Sequence, residues 1–239
     1  CYEKDIPVLK NISFKVNPGE TIALVGATGS GKTTIINLLS RFYDIQGGQI
    51  LIDGHDIKKV TLESLRNQIG VMLQDTFIFS GTVMENIRYG KPDATDEEVI
   101  QAAKEVMAHD FIMEMENGYE TEVNERGSRL SVGQRQLISF ARTLLSDPKI
   151  LILDEATSSI DTKTEKAIQL ALDRLLKGRT AFVIAHRLST IKNADRIFHI
   201  SHGQISEAGT HDELMKLKGD YYRLFMSQYK ILHGGREAV

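Results

Sequence analysis

Residues 26–33 read Gly-Ala-Thr-Gly-Ser-Gly-Lys-Thr, matching the spacing G-x-x-x-x-G-K-[ST], and no other stretch is better suited to binding an anion. Glycines let the backbone curl until successive N–H groups point inward, and the start of a following helix adds favourable partial positive charge. Gly26, Thr28, Gly29, Ser30, Gly31 and Thr34 would cradle phosphate oxygens. Lys32 would reach the β and γ phosphates of a nucleoside triphosphate, and the Thr33 hydroxyl would ligate Mg²⁺. A second candidate is the run Ile150-Leu151-Ile152-Leu153, which closes on Asp154 and Glu155. A strand ending at the carboxyl edge of a sheet delivers its last side chains into the ligand crevice. Asp154 would then hold Mg²⁺ through its water shell, and Glu155 would polarise an attacking water as general base. Adjacent acids alone are more often a solvated turn. Behind four apolar residues, and with a complete phosphate loop in the same chain, they read as catalytic.

These residues need a scaffold that brings several strand ends to one edge. Thr21–Val25 is a short apolar run ending in glycine, and residues 31–41 carry apolar side chains at helical spacing. Buried-strand runs recur at 69–73, 150–153 and 180–185 with helical stretches between them, which predicts an α/β fold with a mostly parallel sheet covered by helices. Thr95 with Glu98, Thr162 with Glu165 and Thr210 with Glu213 are capping-box pairs at predicted helix starts. Between Gln74 and Pro148 the strand signal fades, which predicts an inserted helical lobe. Gly203 lies between two apolar runs and reads as a hairpin turn.

Composition bounds the partners. The chain has 239 residues and a formal net charge of −3, enough length for a sizeable core and no general electrostatic reason to bind nucleic acid. One cysteine, Cys1, excludes an intrachain disulfide and fits a reducing compartment; as the first residue it reads as the place where a longer chain was cut. No apolar run reaches the roughly 18 residues that span a bilayer.

The segment Leu130-Ser131-Val132-Gly133-Gln134-Arg135-Gln136 ends fourteen residues before Ile150. Together with the phosphate loop and the acidic strand end, it resembles the signature motif and Walker motifs of the ATP-binding-cassette (ABC) ATPases, and the resemblance covers nearly the whole chain. It implies a P-loop NTPase core at residues 1–75 and 149–239, with an N-terminal antiparallel β portion, and a helical subdomain at residues 76–148, all within one nucleotide-binding domain. It implies that Gln74 contacts Mg²⁺ and joins core to lobe, that Asp161 contacts an opposing subunit, and that His186 contacts the γ phosphate. Tyr2 would stack on adenine. ATP would lie between the phosphate loop of one domain and Ser131, Gly133 and Gln134 of a second, identical or different. The stretch Thr121-Glu122-Val123-Asn124-Glu125-Arg126-Gly127 resembles the X-loop of exporters. That implies a membrane domain upstream of Cys1, touched through the Gln74 and Glu125 regions, and a location on the cytoplasmic face of the cell membrane.

Val132 stands where this family usually has glycine. A β-branched residue does not readily take a positive φ or allow close backbone approach to a phosphate. One expectation is therefore a heterodimeric exporter in which this chain offers an impaired signature to its partner; the other is a homodimer that tolerates valine. Two other function classes share parts of this motif set. A soluble ATPase of the superfamily acting on nucleic acid or ribosomes usually carries two cassettes or a long coiled-coil insertion, and neither is present. A non-hydrolysing dimerisation module would be expected to lack Glu155 or His186, and both are here.

Overall fold

The computed structural model describes residues 7–73, 76–124, 127, 129–155, 162–185 and 187–232. It divides into two compact units. The first holds residues 7–69, 152–155 and 180–232, and the second residues 70–151 and 162–179, so the division runs through two strands.

The first unit opens on β1 (Thr21–Val25), followed by α1 (Lys32–Leu39), the hairpin β2 (Leu51–Ile52) and β3 (His55–Asp56), and α2 (Leu62–Asn67), which leads into β4 (Ile69–Met72). In this N-terminal third the antiparallel pairing is the β2–β3 hairpin, whose turn residues Asp53 and Gly54 both have positive φ. An Asp-Gly pair suits that turn, because both central residues of a type I′ turn need left-handed backbone.

The second unit contains β5 (Gly81–Thr82), α3 (Val83–Arg88), α4 (Asp96–Glu105), α5 (His109–Met113), β6 (Glu122–Val123) and α6 (Val132–Leu145). The chain passes through β7 (Ile150–Asp154) into the first unit and returns for α7 (Thr162–Leu176). It then completes the first unit with β8 (Thr180–Ile184), α8 (Leu188–Asn193), β9 (Arg196–Ser201), β10 (Gln204–Gly209), α9 (His211–Leu217) and α10 (Asp220–Leu232).

Strands of the first unit lie in the order β10-β9-β1-β8-β7. β1 runs parallel to both β8 and β9, and β10 turns back antiparallel to β9. β1 and β8 are covered on both faces and, after an opening threonine, read as apolar runs: Ile22, Ala23 and Leu24 of β1 and Ala181 and Val183 of β8 have no exposed surface. β10 lies at the end of this order and alternates exposed with half-buried positions. The expected hairpin at Gly203 is the β9–β10 turn, with His202 and Gly203 at positive φ.

In the second unit β4 lies beside the start of β7, and a Cβ on Gly70 would stand 3.2 Å from Leu151 Cδ2 and 2.7 Å from Pro148 Cγ. The helices pack around α6, whose Leu137, Ile138, Phe140 and Ala141 are buried against α3, α4 and α7. Arg142 fastens this packing. Its Nε and Nη2 donate to Asn86 O (2.8 Å) and Asn86 Oδ1 (3.0 Å), its Nη1 donates to Phe77 O (3.0 Å), and its guanidinium lies over Phe79 and Tyr89.

Capping boxes close at Thr95 with Glu98 and at Thr210 with Glu213, as their spacing predicts. Two further boxes use the same chemistry, Thr82 with Glu85 and Ser131 with Gln134. Thr162 is instead the first residue of α7, whose cap lies outside the described residues.

Candidate functional site

The phosphate loop begins where β1 ends. Gly26, Gly29 and Gly31 all have positive φ, and a Cβ on Gly26 would lie 2.2 Å from Ile200 O, so the curl requires glycine there for conformation and for space. Ala27, Thr28, Gly29 and Thr33 are exposed, while Thr34 is half-buried. α1 starts after Gly31 without a side-chain cap. Ser30 is buried, and its hydroxyl has no partner among the described residues; a buried unpaired hydroxyl is costly, and a phosphate oxygen would satisfy it. Lys32 is only 8% exposed, and its ammonium donates to Gly26 O (2.8 Å) and Ala27 O (2.9 Å). Burial pushes this ammonium below its ordinary pKa, and the Asp154 carboxylate opposes that shift.

The loop is braced from behind by the β9–β10 turn. Gly203 N–H donates to Ser30 O (3.0 Å), and Lys10 N–H donates to Gly203 O (2.8 Å). Neither contact has a local sequence signal beyond the glycine itself.

Asp154 and Glu155 end β7 next to β8. Glu155 N–H donates to Ile184 O and Ala185 N–H to Leu24 O, which stitches the ends of β7, β8 and β1 together at the edge that carries the phosphate loop. Asp154 is half-buried. Glu155 is 7% exposed, with Oε2 accepting from Arg187 N–H (3.0 Å) and Oε1 from the hydroxyl of Thr190 on α8. Thr190 was not singled out in the sequence. A threonine in a short helix carries no signal of what its hydroxyl meets.

In the second unit Ser131 caps α6. Its hydroxyl accepts from Gln134 N–H (3.2 Å), and Gln134 Oε1 accepts from Ser131 N–H (2.9 Å). Gly133, the second helical residue, is buried. Val132 is the first helical residue, 40% exposed, and does not carry a positive φ. Positive φ is therefore no reason for glycine at this position, because first-turn helical geometry suits L residues generally. Its bulk beside Ser131 remains.

Tyr2, Gln74, Glu125, Asp161 and His186 lie outside the described residues.

A family model described as ABC transporter matches residues 9–158. The chain belongs to the ABC transporter family. It is 61% identical over 228 residues to YknV of Bacillus subtilis (strain 168), named an uncharacterized ABC transporter ATP-binding protein. It is 57% identical over 228 residues to YgaD of the same strain, named a putative multidrug export ATP-binding/permease protein. It is 54% identical over 226 residues to an ATP-dependent lipid A-core flippase of Syntrophus aciditrophicus (strain SB). Each alignment covers 95% of this chain but only 38%, 39% and 38% of the respective relative, so the chain spans about two fifths of their length.

The donor set of this ABC family member fits Mg²⁺. Thr33 offers an exposed hydroxyl, and Asp154 offers a carboxylate near enough to Lys32 to act on its charge. Mg²⁺ takes one or two protein oxygens and completes its shell with water and phosphate. The described residues contain no group of three or more His, Cys, Asp or Glu able to hold a metal by themselves. Among the same residues no helix is long and apolar enough to cross a membrane.

Proposed function

We propose that this chain is the nucleotide-binding domain of an exporter and hydrolyses ATP to drive transport. One observation carries the reading. The curled loop with buried Lys32 and the buried carboxylate of Glu155 belong to strand ends joined by hydrogen bonds at one edge of the sheet.

In this reading the loop N–H groups, the Ser30 hydroxyl and Lys32 bind the β and γ phosphates, and Lys32 exchanges its two loop carbonyls for phosphate oxygens. Glu155 takes the proton of a water whose oxygen bonds to the γ phosphorus as the bond to ADP breaks. Thr33, Asp154 and Gln74 would hold Mg²⁺, which would supply charge neutralisation of the phosphates. His186 orients the γ phosphate and Tyr2 stacks on adenine.

A second such domain, identical or a sister chain, contributes Ser131, Gly133, Gln134 and Asp161 across a head-to-tail interface. Residues 1–75 and 149–239 form the catalytic core and residues 76–148 the helical subdomain. A transmembrane domain at the cytoplasmic face of the cell membrane meets the Gln74 and Glu125 regions. The names of the relatives support export as the outcome, since they include a multidrug export protein and a lipid A-core flippase.

The test is Mg-ATP turnover by the purified protein and its Glu155→Gln variant. Turnover that depends on Mg²⁺ and disappears in the variant, while ATP still binds, is the expected result. A variant that hydrolyses ATP at the parent rate refutes the assignment of the base.

A further inference from the structure

Glu155 must present a lone pair to the attacking water while its carboxylate is held still. An ionised carboxylate has about four acceptor positions on two oxygens, so it can accept fixed hydrogen bonds and keep capacity for a water proton. Arg187 N–H occupies one position on Oε2 at 3.0 Å and the Thr190 hydroxyl one on Oε1. The two donors reach different oxygens, which restrains both the direction of the side chain and the rotation of its carboxylate plane. Thr190 is 4% exposed, so little water can replace its hydroxyl, and the donor is held rigid by the helix that carries it. Hydrogen bonds to charged groups are the stronger ones, and their directional hold persists in a low-dielectric setting.

Accepting Glu155 as the general base proposed above, we infer that Thr190 is a positioning residue for ATP hydrolysis, its hydroxyl fixing the orientation in which Glu155 meets the attacking water. The Thr190 hydroxyl meets the Glu155 carboxylate, so Thr190 acts through Glu155. Its removal leaves the phosphate loop intact, so nucleotide binding is spared and the chemical step is slowed. The Arg187 donor is backbone and persists whatever the side chain, whereas the Thr190 hydroxyl is a donor that a substitution can remove.

The test compares Thr190→Ala, Thr190→Val and Thr190→Ser in the purified protein, measuring kcat and KM for Mg-ATP and the equilibrium affinity for ATP. Valine keeps the volume and removes the hydroxyl, so it controls for packing and folding. Alanine and valine are expected to lower kcat by about 10- to 100-fold with KM and ATP affinity within about twofold, and serine to restore most of the rate. Unchanged kcat in Thr190→Val, equal loss in the serine variant, or a loss of ATP affinity that accounts for the slower rate overturns the inference. Glu155→Gln run in parallel separates the two readings. If it abolishes turnover and Thr190→Val does not slow it, positioning alone fails; if it retains turnover, the general base fails, and the inference with it.

Discussion

Gly203→Ala is the sharpest probe of how the phosphate loop is held. Gly203 has φ +76°, and a Cβ there would stand 1.9 Å from Val8 O, 2.9 Å from Val8 C and 3.3 Å from Leu9 Cα. All three are backbone atoms, so no side-chain rotation relieves the overlap. The irregular segment leading to Lys10 or the hairpin turn must move, and the hydrogen bonds Lys10 N–H to Gly203 O and Gly203 N–H to Ser30 O go with it. Gly19 supplies the control in the same unit, with φ +77° and nothing within 4 Å of its added Cβ.

Left-handed backbone costs an L residue ~1–2 kcal/mol, partly offset by a stiffer unfolded chain, and each lost hydrogen bond costs ~1 kcal/mol. Gly19→Ala is thus expected to lose about 1 kcal/mol and Gly203→Ala about 3 kcal/mol. Each kcal/mol lowers Tm by roughly 2–4 °C in a chain of this size. Because Ser30 O loses its brace, Gly203→Ala also weakens ATP binding by about tenfold, whereas Gly19→Ala leaves it unchanged. Thermal unfolding and nucleotide titration read the two effects. Equal stability losses in the two variants, or undiminished ATP affinity in Gly203→Ala, would refute the bracing argument.

Val132→Gly is expected to change Mg-ATP turnover by less than about twofold, since residue 132 has ordinary helical backbone; a large gain in rate would instead assign the defect to the valine side chain. Arg142→Ala leaves the Asn86 and Phe77 carbonyls and the aromatic faces without their donor, while Asn86 Oδ1 keeps the Phe79 N–H, and denaturant unfolding should show a loss of about 3 kcal/mol that lysine, lacking the planar fork, does not restore. Burial lowers the His199 pKa from its ordinary 6.5, against the raising effect of the Glu207 and Asp220 carboxylates. Below that ordinary value the unfolded chain takes up a proton that the folded protein resists, so His199's contribution is full above about pH 6.5 and lost as pH falls through the lowered folded value. Tm measured between about pH 5 and 8 should fall less steeply on acidification in His199→Gln than in the parent.

Much of this architecture is legible in the chain because its signals are short-range. Parallel strands covered on both faces are apolar nearly throughout, so residues 22–25, 150–153 and 181–184 announce themselves without reference to their neighbours. Capping boxes need only residues three apart, and the pairs at Thr95 and Thr210 close as their spacing predicts. Val132 marks the limit of such signals: residue type suggests a backbone conformation but does not assign one, and the cap at Ser131 sets helical geometry at the next residue.

The sequence by itself determined the phosphate loop, the acidic strand end and the alternation of strands and helices, since each depends on residue type and local spacing. The tertiary structure alone decided what holds those groups in place. Thr190 meets Glu155 only because β7 and β8 are neighbours in the sheet, and Gly203 braces Ser30 only because β9 runs beside β1. Strand order and register create such contacts, and no residue type encodes a partner whose distance is set by the pairing of other strands.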